Sequence, residues 1–205
     1  MKLNLTRKTW AVFGYKESGK SILAKTIASA YGQKCLYYDT LHEVPPDALF
    51  HSYPPKNRQS PLELENVVRL IKQSKRYRMF VIDEANRYCP PKPRALPQGI
   101  ADMNDWCRHP QFNLSVGYIA RRPVSLNTDL TEICDYLFIF QLGGKNDIKY
   151  LNDLRTGLGD TVMNLPQYHY VMVRPDRTWN ILNPVKPDKI FIGSDTRPLN
   201  TGSYQ

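Results

Sequence analysis

Two short segments carry residue types and spacings suited to phosphate chemistry. The first, Gly14-Tyr15-Lys16-Glu17-Ser18-Gly19-Lys20-Ser21, fits the pattern GxxxxGK[ST] at every required position. Glycines let a backbone wrap closely around phosphate oxygens. A helix that starts there aims its N–H groups and positive dipole end at them. In such a loop Lys20 reaches the β- and γ-phosphates of ATP and the Ser21 hydroxyl ligates Mg²⁺. The second segment, Met79-Phe80-Val81-Ile82-Asp83-Glu84, is an apolar run closed by two carboxylates. At the end of a buried parallel strand, Asp83 faces the metal beside the phosphate loop. Glu84 is then placed to orient or deprotonate an attacking water. A nucleotide switch or small-molecule kinase has less need of that adjacent base, so the pair points to hydrolysis. The plainer reading, a strand end capped by solvated charge, loses ground because the phosphate loop is present.

These segments need a scaffold, and the flanking residues predict one. Thr9–Phe13 reads as a buried strand running into the loop. Residues 21–31 read as a helix with Leu23, Ile27, Ala30 and Tyr31 on one face and Gly32 as its stop. Cys35–Tyr38 is a second strand, ending at Asp39-Thr40. Ser60-Pro61-Leu62-Glu63 predicts a capping box with proline at the first helical position. That helix carries Leu64, Val67, Val68 and Ile71 at helical spacing. Met79–Ile82 is a third strand, a helix follows across 98–108, and residues 114–120 and 136–142 give a fourth and fifth. Alternating strands and helices predict an α/β fold with a mainly parallel central sheet flanked by helices. Residues 169–174, a Pro175-Asp176 turn and 178–182 predict a C-terminal antiparallel hairpin. The expected organisation is one domain over 1–183 and an extended, proline-rich tail over 184–205.

Composition narrows the partners. The chain has 205 residues, 41% hydrophobic and 23% charged, ordinary values for one globular domain. No apolar run approaches the ~20 residues that span a bilayer, and the N-terminus lacks a signal-peptide core, so secretion is not expected. Cys35, Cys89, Cys107 and Cys134 are scattered, which favours buried thiols over zinc or disulfides. The four histidines are isolated, and none is assigned a metal or a proton. A net charge of +9 favours an anionic partner. Sixteen prolines cluster at 45–61, at 90–97 and after Asn183, where extended, irregular chain is expected.

The chain resembles the FtsK/HerA superfamily of ATP-driven DNA pumps. Within it, the chain looks most like the short genome-packaging ATPases of double-stranded DNA viruses whose capsids enclose a membrane. The phosphate loop with Asp83-Glu84 is the first feature carrying the resemblance. The second is Cys107-Arg108-His109 followed by Val116-Gly117-Tyr118-Ile119-Ala120-Arg121-Arg122-Pro123. The third is Leu126-Asn127-Thr128-Asp129-Leu130 and then Cys134-Asp135-Tyr136-Leu137-Phe138-Ile139-Phe140.

The resemblance implies a P-loop NTPase fold of the RecA-like (ASCE) type and a homo-oligomeric ring. It implies ATP and Mg²⁺ as cofactors, and double-stranded DNA held through its backbone and driven into a capsid. The setting would be the host cytoplasm or the virion, with capsid or membrane proteins of the virion as further partners. By motif position, Arg108 and Arg122 are candidates to complete a neighbour's site. Arg121 is the candidate sensor in its own subunit, standing where the family has glutamine. Arginine donates but cannot accept, so sensing would differ. Each of the three could instead pair with a local carboxylate. The Pro90-Pro91-Lys92-Pro93-Arg94 loop is a candidate for DNA contact, and Arg76, Arg78 and Arg87 are solvated or DNA-facing charge. Two other readings stand beside the motor: a small-molecule or nucleotide kinase, and a non-hydrolytic, nucleotide-gated virion assembly factor.

Overall fold

The computed structural model describes residues 3–186; the expected tail, from residue 187 on, lies outside the described residues. In chain order the strands are β1 (Thr9–Phe13), β2 (Cys35–Tyr38), β3 (His51–Tyr53), β4 (Met79–Ile82), β5 (Ser115–Ala120), β6 (Tyr136–Phe140), β7 (Tyr170–Val173) and β8 (Trp179–Leu182). The helices are α1 (Lys20–Tyr31), α2 (Pro61–Ser74), α3 (Gln98–Trp106), α4 (Thr128–Ile133), α5 (Lys145–Leu154) and α6 (Leu158–Met163). All eight strands form one sheet in the order β3-β2-β4-β5-β1-β6-β7-β8. The first six pair in parallel, and the predicted hairpin adds β7 and β8 antiparallel at one side.

The apolar runs are continuous because helices cover both faces, so no strand residue in the middle can be polar without cost. Every residue of β1, β2, β4 and β5 is buried. Strand alternation then divides β1 between two cores. Ala11 and Phe13 join Leu64, Val68 and Ile71 of α2 on one face; Trp10 and Val12 join Leu23, Ala24 and Ile27 of α1 on the other. Gly117 in β5 makes room for this packing. A Cβ there would lie 2.2 Å from the Trp10 ring.

Three expectations need correction. The stretch 45–61 is not irregular throughout, since β3 pairs there with β2 from Leu36↔His51 to Tyr38↔Tyr53. The capping box does not form: Ser60 makes no side-chain cap. Glu63 instead accepts from Lys56 N and Asn57 N, both at 2.9 Å, and from the Tyr53 hydroxyl at 3.0 Å. It ties the preceding loop rather than its own helix. Finally, α5 and α6 occupy a stretch for which no element was predicted. Among the described residues no helix is long and apolar enough to cross a membrane.

The order of the strands positions the chemistry. β5 lies between the strand that feeds the phosphate loop, β1, and the strand that ends in Asp83-Glu84, β4. The carboxyl ends of β2, β4, β5 and β1 share one edge of the sheet, where open α/β sheets bind ligands. Their amino ends share the other.

Candidate functional site

The loop after β1 is seated on Phe140, at the end of β6. Gly14 can only be glycine, because a Cβ would meet Ser18 Oγ at 2.6 Å and Phe140 Cβ at 2.7 Å. Gly19 takes a left-handed conformation (φ 103°, ψ −1°) as it opens α1, with the Phe140 ring 3.1 Å from where its Cβ would be. Gly14 N donates to the Arg121 carbonyl at 3.2 Å, which ties the loop to the end of β5. The Tyr15 hydroxyl accepts from Gly143 N at 3.0 Å, while Lys16 and Glu17 point outward as an exposed pair. No acidic residue sits in the first turn of α1, so nothing internal competes for its N–H groups and dipole.

Lys20 is 9% exposed and donates to the Tyr15 carbonyl at 2.6 Å. Burial lowers its pKa, against the opposing pull of the Glu84 and Asp83 charges. Ser18 Oγ is buried with no partner among the described residues. A buried cation bonded only to its own loop and an orphaned hydroxyl beside it mark a cradle that suits an oxyanion.

Across β5, Asp83 is 6% exposed, and burial, followed by the neighbouring Glu84 charge, pushes its carboxyl up to about 7. Its Oδ1 accepts Glu84 N at 3.0 Å. Glu84 itself is left-handed (φ 48°, ψ 42°), an uncommon conformation for a residue with a Cβ. The turn is held from several sides. Asp83 N donates to the Tyr38 carbonyl at 3.1 Å, Thr40 Oγ1 to the Asp83 carbonyl at 2.7 Å, and Arg87 N to the Glu84 carbonyl at 2.9 Å. The Tyr88 hydroxyl lies 3.3 Å from Thr40 Oγ1. Arg121, from the end of β5, donates through Nε to Glu84 Oε1 at 3.3 Å, and Arg87 stands 3.9 Å from the other oxygen.

Lys20, Asp83, Glu84 and Arg121 are thus gathered at one edge from three adjacent strands. Ser21 lies one residue past Lys20 in α1. Ser21 and Asp83 are the residues that could hold Mg²⁺. No cluster of three or more His, Cys, Asp or Glu offers a metal site by itself among the described residues. That donor set fits a hard cation that takes part of its ligand shell from phosphate oxygens.

The other two arginines do not meet Glu84. Arg122 donates to Asp147 Oδ2 at 2.7 Å. Asp147 is fully buried in the first turn of α5, and its other oxygen has no partner. Arg108 sits at the amino edge, where Nη2 donates to Thr9 Oγ1 and the Ile133 carbonyl, both at 2.8 Å, and lies 3.3 Å from Asp135. β1 runs about 16 Å, so Arg108 is that far from the phosphate loop of its own subunit. The Pro90–Arg94 loop is pinned: Lys92 meets Asp129 at 2.6 Å, and Asn127 donates to the Pro90 and Arg94 carbonyls.

Sequence reasoning did not single out Thr40, Phe140 or Asp147 for the site. For Thr40 a signal existed, since Asp39-Thr40 closes its apolar run just as Asp83-Glu84 closes the neighbouring one.

A phosphate loop between strand and helix, with a carboxylate pair two strands away across a parallel sheet, defines a P-loop NTPase fold. No protein-family model matches the chain, and no curated protein sequence does. Solved structures do. The genome packaging NTPase B204 from Sulfolobus turreted icosahedral virus 2, in complex with ATP-gammaS, superposes with a TM-score of 0.73 at 17% identity, covering 88% of this chain and 98% of that one. B204, the DNA-packaging ATPase from Sulfolobus turreted icosahedral virus, gives 0.71 at 15% identity, covering 89% of this chain and all of that one. The N-terminal domain of zonular occludens toxin from Neisseria meningitidis gives 0.54 at 11% identity, covering 88% of this chain and 96% of that domain. The shared property is the fold.

Proposed function

We propose that this chain is an ATP hydrolase that works as an oligomeric motor on double-stranded DNA, in the packaging of a viral genome. One observation carries the reading. The residues able to bind phosphate, ligate a metal, activate water and sense charge converge on the carboxyl edge, under a fold shared with viral packaging NTPases.

The chemistry follows from the contacts each group makes. Lys20 exchanges the Tyr15 carbonyl for the β- and γ-phosphates, and Ser18 and the loop N–H groups wrap the oxyanions. Ser21 and Asp83 would hold Mg²⁺, which would supply positive charge against that of the phosphates. Arg121 leaves Glu84 for the γ-phosphate, which frees the Glu84 carboxylate to accept a proton from the attacking water. Arg108 and Arg122, each held by a carboxylate of its own chain, are the candidates to complete the site of a neighbouring subunit. Residues 1–183 make up the ATPase domain. The motor would act in the host cytoplasm or at the virion, as a ring whose subunits contact the DNA backbone.

ATP turnover with and without long double-stranded DNA, for the native chain and Glu84→Gln, tests this. DNA-stimulated hydrolysis abolished by the substitution is the expected result. DNA-independent phosphoryl transfer to a small acceptor would make the protein a kinase, and nucleotide binding without turnover would make it an assembly factor.

A further inference from the structure

A row of cations runs along the amino edge of the sheet, away from Lys20, Asp83, Glu84 and Arg121. Lys34 directly precedes β2, Arg78 precedes β4, and Arg7 lies two residues before β1. Hydrogen bonds stitch these positions together. Arg78 N donates to the Lys34 carbonyl at 2.7 Å, Ser115 N to the Arg78 carbonyl at 2.9 Å, and Arg7 N to Ser115 Oγ at 3.0 Å. With neighbouring strands about 4.8 Å apart, the row crosses β2, β4, β5 and β1 over roughly 15 Å.

The last turn of α2 and the residues after it add Lys72, Lys75 and Arg76 at one end of the row. Phe112 gathers the two lysines and Arg78. The Lys72 and Lys75 amines lie 6.0 and 5.7 Å from its ring centroid, and Arg78 Nη1 donates to its carbonyl at 3.5 Å. Lys72 also stands 5.4 Å over Trp106, and Arg76 lies 5.6 Å from the Tyr77 ring.

Among the described residues, none of these six cations has a carboxylate at ion-pair distance, whereas the adjacent Lys8 and Arg108 share Asp135. All but Arg78 are exposed. Like charges crowded on aromatic faces repel one another until an anion joins them. The aromatic rings are already covered by cations, so they offer no platform for bases, and the edge suits phosphates rather than sequence. A duplex presents about one charge per 1.7 Å of axis, enough to engage the whole row at once.

We propose that this amino edge docks on the phosphate backbone of a nucleic-acid duplex, at the opposite side of the sheet from the nucleotide site. The inference rests on the motor reading and gives that motor a surface. It also moves duplex contact away from the Pro90–Arg94 loop, where Lys92 is already bound to Asp129.

The test uses the full chain carrying Lys34→Gln, Lys72→Gln, Lys75→Gln and Arg76→Gln together. Binding to a labelled duplex is followed by fluorescence anisotropy at stepped salt, with a fluorescent ATP analogue reporting that the fold is intact. Each lost phosphate contact lowers the slope of log K against log salt by about 0.9, so the slope should fall by about 3 to 4. If the fourfold variant fails to bind the analogue, Lys34→Gln with Arg76→Gln replaces it, and the slope should fall by about 2. Lys92→Gln with Arg94→Gln should keep the native slope.

A native slope in the fourfold variant overturns the assignment and leaves the motor reading standing. So does a slope lost only in the loop variant. Loss of binding to polyglutamate with the duplex slope unchanged assigns the edge to an acidic protein surface and overturns it as well. A native chain that binds no duplex overturns both readings.

Discussion

The two edges of the sheet are built from the same strands, yet they treat charge in opposite ways. At the amino edge Asp135 is met by Lys8, Arg108 and Thr9 N, at 3.2, 3.3 and 2.9 Å. That carboxylate is satisfied, and the remaining cations, Arg78 excepted, face water. At the carboxyl edge charge is buried and poorly served. Lys20 has only its own loop carbonyl, Asp83 is pushed toward neutrality, Ser18 is orphaned, and Glu84 is left-handed. Such costs persist only where the surrounding structure imposes them, and they are relieved by a ligand that brings phosphate oxygens and a cation. The edge with buried, unserved charge is the one built to bind nucleotide.

The contrast breaks most visibly at Lys20. Lys20→Ala should weaken ATP affinity by roughly 10²–10³-fold, within the range for truncating one partner of a buried, hydrogen-bonded charge pair; calorimetry reads it. The fold should survive, since the side chain supports only its own loop.

Asp83→Asn should do something less common and stabilise the nucleotide-free protein. With a folded pKa of about 7 against 3.8 unfolded, the native state retains a proton that the unfolded chain releases between those values. Unfolding free energy therefore falls as pH rises through that window. At about 1.4 kcal/mol per unit, the ceiling is near 4 kcal/mol above pH 7. Thermal melts at pH 5 and pH 8 should show the variant gaining more on the native chain at pH 8 than at pH 5, and losing Mg²⁺-dependent turnover at both.

Arg121→Gln restores the amide that the resemblance leads one to expect. It should reduce kcat by about 10²-fold while ATP affinity moves less, since the guanidinium does its work as charge develops on the γ-phosphate. Steady-state kinetics beside equilibrium binding separates the two. The smallest effect belongs to the amino edge. Asp135→Asn leaves Lys8 and Arg108 without their counter-charge and should cost about 1–3 kcal/mol in urea denaturation with ATP affinity unchanged. A loss of nucleotide binding there would erase the distinction between the edges.

How much of this was legible depended on whether the determinants were local. β1, β2 and β4 match their apolar runs residue for residue, because burial on both faces leaves no polar position inside them. β3 was not legible. It has three residues with no buried position and exists by pairing with β2. α5 was hidden because the buried positions of KNDIKYLNDL are Asp147 and Leu151, and a charged residue in a core position erases the periodicity. The phosphate loop and Asp83-Glu84 are contiguous motifs with contiguous chemistry. The arginines are not: Arg121 meets Glu84 37 residues away and Arg122 meets Asp147 25 away, and neither spacing carries a pattern.

Single-turnover hydrolysis by Glu84→Gln, read beside its ATP affinity, tests the carboxyl edge most directly. Removing a general base costs about 10²–10⁴-fold. The substitution also takes the charge from Arg121's partner, so ATP should bind as tightly as to the native chain or tighter. Tight binding with hydrolysis slowed by at least 10²-fold is the predicted result. Hydrolysis near the native rate would show that water is activated elsewhere, and that the Arg121–Glu84 contact only fastens one strand end to the next.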